Sequence, residues 1–267
     1  MSTYATSSLY DSIATYPQLK PHSQRGGFFK NTNVLSSTIN LINNKKDFLV
    51  KVFANLLLQL GITYFVMEKF PANDLVKPST TTDKKGKNQN QNDKKPSSYS
   101  ILFVFIIQFI IILVMTFIPM PMLFKLVLFT IFSFLMGISL SLMRLITDPA
   151  IIHTALLGVA CIFTMMFLLG LFLLVSGVKF GFGTGFFLWF ILLLLIITQM
   201  VFMALNKYQA DVKLLSILGI LLFSIYIIYD TNRILQKDYF GDFVTASMDY
   251  YLDIINLFLD LVNYQNS

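Results

Sequence analysis

Residues 227–235, IIYDTNRIL, and residues 246–264, ASMDYYLDIINLFLDLVNY, decide how this chain folds. In the second stretch Asp249, Asp253, Asn256, Asp260 and Asn263 are spaced 4, 3, 4 and 3 residues apart. That spacing puts all five on one stripe of an α-helix whose other faces are apolar or aromatic. The first stretch closes an apolar run with Asp230, and Arg233 stands one turn further along the same face. At about 1.5 Å per residue the second stretch is roughly 28 Å long, so Asp249 and Asp260 lie within about 7 Å of an end, near headgroups or water. Asp253 sits roughly 10 Å in, where an unpaired carboxylate costs on the order of 3 kcal/mol; it is expected to face protein or a water-filled cavity.

The end of one helix and the start of the next share a side of the membrane, so Asp230 and Asp253 come to similar depth. Two carboxyls at hydrogen-bond distance cannot both ionise cheaply, and the pair is expected to share a proton. Deprotonation would change that contact, and so would calcium taking oxygens from Asp230 and Asp253 as a metal site; either could open a path. A plainer arrangement pairs Asp230 with Arg233 at a helix end and Asp253 with a hydroxyl or amide across the bundle. For Asp249 and Asp260, solvation at the membrane surface suffices.

Composition agrees with a membrane setting. The 267 residues are 55% hydrophobic and only 13% charged, with a mean hydropathy of +0.68, against about 25% charged in a soluble domain. At roughly 20 apolar residues per crossing, six or seven helices consume most of the chain and leave no room for a soluble enzyme domain. One cysteine, Cys161, excludes an internal disulfide and a cysteine-built zinc site, and a single glutamate, Glu68, excludes metalloprotease and EF-hand motifs. No cofactor is implied. The net charge of +6 arises largely from seven of the 20 basic residues clustered between Lys69 and Lys95, with almost no interleaved aromatics, so nucleic acid is not an expected partner.

Along the chain, residues 1–47 form a polar tail expected to be disordered, without the basic-then-apolar start of a signal peptide. A membrane domain spans 48–264. Its apolar spans are 48–67, 99–117, 123–145, 150–175, 186–205, one starting near Val212, and 246–264. A charged insertion at about 68–98, containing TTTDKKGKNQNQNDKK, is expected to be a disordered loop. Pro119 and Pro121 force a turn, Asp148 and Pro149 suit an N-cap and first helical residue, and SGVKFGFGTG (176–185) reads as a loop. With the insertion set aside, nine flanking basic residues against three (Arg144, Lys207, Lys213) favour a cytosolic N-terminus. Lys51, just inside the first span, is expected to snorkel to the interface or to act with Arg233 as a counter-charge to the aspartates.

The pattern IIYDTNRIL followed by YYLDIINLFLDLV resembles the C-terminal signature of the transmembrane Bax-inhibitor-motif family, the Bax inhibitor and lifeguard proteins. DFLVKVFANLLLQLGITYF (47–65) resembles that family's first helix, and FLMGISLSLMRLITDPAIIHTALLGVACIF (134–163) its third and fourth. The resemblance implies an all-α bundle of seven transmembrane helices with a central last helix. It further implies a pH-sensitive calcium leak in an intracellular membrane such as endoplasmic reticulum or Golgi, and suppression of cell death. The family's two-aspartate pH sensor falls on Asp230 and Asp253, and Met136 stands where lifeguard members often carry an acid.

Calcium ions, the lipid bilayer and cell-death regulatory membrane proteins are the partners so implied, and no enzyme activity is expected. A second class of function is a non-conducting membrane protein that inhibits cell death by binding partners through its lipid-facing surfaces. Two aspartates on successive helices also resemble intramembrane aspartyl proteases, but the Gly-x-Gly element those enzymes place before the second aspartate is replaced here by Tyr250-Tyr251-Leu252. Ser139 and Ser141 with His153 do not match a rhomboid pattern and are read as packing residues.

Overall fold

The computed structural model describes residues 34–72, 98–204, 208–236 and 239–267. Among them are seven α-helices and no strand: α1 (Val34–Lys69), α2 (Ser98–Phe117), α3 (Met122–Arg144), α4 (Pro149–Val175), α5 (Phe182–Ala204), α6 (Tyr208–Gln236) and α7 (Phe243–Asn266). Five helices, α1, α3, α4, α5 and α6, are long and apolar enough to cross a membrane. The apolar part of α2 is shorter, Ile106–Phe117. The three aspartates of α7 leave it outside that set, and α1, α3, α4 and α6 pack around it.

Position in the bundle follows from side-chain chemistry. Tyr250 and Tyr251, both fully buried, sit in aromatic cages. Tyr250 packs against Phe53 of α1 and Phe163 of α4 at 6.0 and 5.3 Å, and Tyr251 against Phe129 and Phe132 of α3 at 5.2 and 5.9 Å. Consecutive residues on a helix point about 100° apart, so these two rings hold α7 from two sides at once. By contrast α5 packs mainly on α6 and presents Phe186, Phe187, Trp189 and Leu194 outward. Exposed Leu57, Phe109, Phe124, Leu157, Phe172 and Leu221 continue this apolar exterior around the bundle. Hydrocarbon suits such a surface, and water would drive it to aggregate.

Two glycines set the closest crossings. A Cβ on Gly137 of α3 would lie 2.6 Å from Val66 Cβ and 2.8 Å from Thr63 O, and one on Gly170 of α4 would lie 2.9 Å from both Ile228 O and Thr231 Cβ. Small residues of this kind let helix backbones approach where no hydrophobic driving force separates protein from lipid.

Helix ends match expectation in one place and differ in others. Asp148 caps α4, its side chain accepting from Ala150 N at 2.8 Å with Pro149 in the first turn. The first helix begins at Val34 rather than near Phe48. No proline or glycine interrupts 34–60, and Leu41 packs on the core, so residues 34–47 continue the helix instead of belonging to the tail. Glu68 and Lys69, expected in the loop, end α1, where Glu68 pairs with Arg144 at 3.1 Å. The remainder of the expected tail, 1–33, and the insertion over 73–97 lie outside the described residues. Phe182–Gly185 form the first turn of α5 rather than a loop, with the Tyr229 hydroxyl filling the space above Gly185.

The start of α7 is fixed by an ionic cap. Asp242 accepts from Thr245 N at 3.0 Å, and Lys125 of α3 donates to Asp242 Oδ2 at 2.5 Å and to Thr245 Oγ1 at 3.1 Å. Burial alone would raise the Asp242 carboxyl, but hydrogen bonds from Lys125 and Thr245 and the Lys125 charge outweigh it and hold the pKa below its ordinary 3.8.

Gly170→Ala is expected to lower stability in detergent by about 1–3 kcal/mol, read as a fall in thermal midpoint. Gly158→Ala, whose new Cβ meets only the flexible tip of Leu261 at 3.2 Å, should change it far less. The Asp242 cap contributes fully above its unfolded value of 3.8 and is lost as pH falls through the lower folded value. Lys125→Met should therefore cost about 1–3 kcal/mol near neutrality and flatten the pH dependence of the midpoint in acid.

Candidate functional site

The α6–α7 seam holds the ionisable groups. Asp230 of α6 and Asp253 of α7 are each 5% exposed, and their carboxyls lie within hydrogen-bonding range of each other. No donor among the described residues reaches Asp253 Oδ2. A carboxylate only accepts, so two carboxyls can hydrogen-bond only when one carries a proton.

Around this pair stands an outer shell. Arg233 Nη1 lies 3.5 Å from Asp249 Oδ2 and 3.9 Å from Asp230 Oδ1, so the guanidinium serves both acids and leans toward Asp249. Tyr239 donates to Asp249 Oδ2 at 3.2 Å while Arg233 stacks over its ring at 5.5 Å. Tyr239 adopts a left-handed backbone (φ 43°) in the 3-10 turn Tyr239–Gly241, a conformation costing roughly 1–2 kcal/mol for a residue with a Cβ. Burial first, then the Asp249 charge, push the Tyr239 hydroxyl up, so it stays protonated and remains a donor.

The end of α6 beside the pair is pinned by Asn232, which is fully buried. Its Oδ1 accepts from Phe180 N at 3.0 Å and its Nδ2 donates to Val178 O at 2.8 Å, tying the α4–α5 connection to the last turns of α6. Gln236 also donates to Asn232 Oδ1. Tyr250 donates to Thr231 Oγ1 at 3.0 Å, which fixes α7 against α6 one turn from Asp253.

The remaining expected residues separate. Asp249 joins the Arg233 shell, and Asn256 is half-buried and donates to Leu252 O of its own helix at 2.8 Å. Asn263 is half-buried near the far end of α7. Asp260 is 6% exposed and packs on Gly219 of α6, so the solvation expected for it at the membrane surface is not what it finds. The three aspartates of the stripe all meet α6, and nearness to a helix end does not turn a side chain outward. Lys51 is exposed on α1 and makes no ion pair with a described residue, so among the described residues Arg233 is the cation that pairs with these acids. Ser139 and Ser141 bond back to Leu135 O and Ile138 O at 3.2 and 2.6 Å, and His153 is exposed on α4, so these three form no dyad.

A second polar seam escaped the sequence reading. Asn55, Gln59 and Thr63 of α1 face α3 and α7: Asn55 donates to Ser247 Oγ at 2.6 Å, and Gln59 Nε2 donates to Thr130 Oγ1 at 3.2 Å and Asn55 Oδ1 at 3.3 Å. Thr63 Oγ1 is 2.6 Å from the Tyr251 hydroxyl and 3.0 Å from Ser133 O. Their spacing of 4 and 4 within an apolar span is the same kind of signal that marked α7. Among the described residues no three His, Cys, Asp or Glu side chains converge as a metal cage.

Comparison with known proteins places this architecture. Residues 45–266 match the family model Bax1-I, Inhibitor of apoptosis-promoting Bax1. The chain is 31% identical over 133 residues to Protein LIFEGUARD 1 of Arabidopsis thaliana, covering 49% of this chain and 53% of that protein. It is 41% identical over 64 residues to Protein lifeguard 4 of Mus musculus, 24% of this chain and 27% of that one. Over 48 residues it is 50% identical to the Golgi anti-apoptotic protein of Vaccinia virus (strain Lister), 18% of this chain and 20% of the viral protein. The chain thus spans about half the length of the plant relative and less of the others. With the family model matching from residue 45 to residue 266, the chain belongs to the Bax1-I family of inhibitors of apoptosis-promoting Bax1.

Proposed function

We propose that this protein is a pH-controlled leak for cations, calcium foremost, in an intracellular membrane, with the Asp230–Asp253 contact as its closed-state latch. In this reading all seven helices lie across the bilayer with the N-terminus in the cytosol, and the role is not enzymatic and needs no bound cofactor. The buried carboxyl pair between α6 and α7 carries the reading. While one proton is shared, the contact is a hydrogen bond. Loss of that proton leaves two like charges about 4 Å apart, which repel by about 4 kcal/mol at an effective dielectric of about 20. A change of that size shifts a two-state equilibrium on the order of a thousandfold, enough to separate α6 from α7 and admit water and a cation. Calcium suits the vacated oxygens because it is a hard cation that takes carboxylate ligands.

The Arg233–Asp249–Tyr239 shell lies beside the latch, with the Arg233 guanidinium shared between Asp249 and Asp230. A Golgi setting and suppression of cell death are supported by the name of the viral relative, a Golgi anti-apoptotic protein. A slow leak that lowers stored calcium is one physical route to that outcome.

Asp230→Asn and Asp253→Asn keep the shape and a hydrogen bond but remove the titrating charge. In liposomes loaded with a calcium dye, each variant is expected to show low flux with the pH dependence lost, while the unaltered protein gains flux as the shared proton leaves. Unchanged flux-against-pH curves for both variants would end the latch. A purified protein that conducts at no pH, yet protects cells with both aspartates neutralised, would replace the leak by partner binding.

A further inference from the structure

Asp260 has no role in the latch. It lies seven residues beyond Asp253 on the α7 stripe, roughly 10 Å further along the helix toward its C-terminal end, and is 6% exposed. Two acids at the other end of α7 have donors: Asp242 has Lys125 and Thr245, and Asp249 has Arg233 and Tyr239. Asp260 has neither a hydrogen bond nor an ion pair with any described residue. Its carboxyl instead packs on Gly219 of α6 so closely that a Cβ there would overlap it. Any other residue at 219 would push the acid out of the seam.

A buried carboxyl without a donor costs several kcal/mol in a bundle interior, and a leucine or asparagine would cost less. No described residue of the chain satisfies it. Its surroundings favour a small positive species. The α6 face opposite carries buried Ser216 and Gly219, followed toward Asp230 by Phe223, 6% exposed and stacked on Tyr226 at 6.0 Å. Phe223 and Tyr226 stand in the α6 sequence between the two carboxyl levels, as an apolar plug between two stations would. At this end of the seam the ammonium of Lys213 of α6 lies 5.2 Å over the ring of Tyr264 of α7. No charged residue of α4 or α6 is paired with Asp260.

We propose that Asp260, seated on Gly219, is a second cation station in the α6–α7 seam, occupied by a proton when the path is closed and by the permeating divalent cation in transit. The inference rests on the leak reading above and extends it to the half of the seam away from the latch. No bond is made or broken beyond exchange of the proton for the cation.

The test compares Ca²⁺ and K⁺ flux in liposomes for the unaltered protein, Asp260→Asn, Asp260→Glu and Asp253→Asn. Asp260→Asn is expected to lower Ca²⁺ flux on the order of tenfold, equivalent to about 1.4 kcal/mol at the station, and K⁺ flux less, with the pH midpoint set by the latch unchanged. Asp260→Glu should restore much of the Ca²⁺ flux. Independently, Cys161→Ser/Asp260→Cys, treated in liposomes with a charged methanethiosulfonate at the pH that opens the latch, should be modified faster than the same cysteine in an Asp253→Asn background at that pH, a comparison free of the thiol's own pH dependence. Full Ca²⁺ flux in Asp260→Asn, or a cysteine unmodified at every pH, would overturn the station. If Asp253→Asn leaves the pH curve unchanged, the latch reading fails. An altered Asp253→Asn curve beside a normal Asp260→Asn protein removes the second station alone.

Discussion

In hydrocarbon a polar group must find its partner inside the chain, and α7 brings three carboxyls, more than any other described helix. Asp249, Asp253, Asn256 and Asp260 share one face of it, with Ser247 and Tyr251 on another. A helix so made is costly at the lipid boundary on two sides, and the bundle's solution is to enclose it. From that constraint follow the choice of central helix, the aromatic cages around Tyr250 and Tyr251, and the placing of α6 over the acidic stripe.

The neighbours are shaped to match. On one side α6 lends Asp230, Arg233 and the bare backbone of Gly219; on the other α1 and α3 lend amides and hydroxyls to Ser247 and Tyr251. Glycines at 137 and 170 allow α3 and α4 to close in on α1 and α6, which keeps lipid away from those polar contacts. The ionic cap at Asp242 fixes where α7 enters, and Asn232 fixes the α4–α5 connection beside the same end. The acidic seam is thus flanked by fixed contacts, and the proposed latch is the carboxyl pair between them.

Much of this was legible as periodicity. The 4-3-4-3 spacing of α7 and the Asp148–Pro149 start of α4 are local signals, and local signals survive folding. What was not legible depended on distant partners or on continuity. Nothing near Asp242 announces Lys125, which is 117 residues away. The burial of Asp260 hinges on a glycine in the preceding helix, and distance from a helix end is a poor guide when the whole face is covered. Residues 34–47 look polar enough for a tail, yet an uninterrupted helix carries them along. The amide stripe of α1 was readable by the test applied to α7 but is uncharged, and a search led by charge passes over it.

The central claim is that one proton joins Asp230 to Asp253 in the closed bundle. Infrared spectroscopy of the protein in lipid reads this directly through the carbonyl stretch of a protonated carboxyl, with Asp230→Asn and Asp253→Asn as assignments. The account predicts a protonated-carboxyl component in the closed state that is missing from either variant and fades as alkali opens the seam. A closed-state spectrum that is the same in both variants and in the unaltered protein would contradict it.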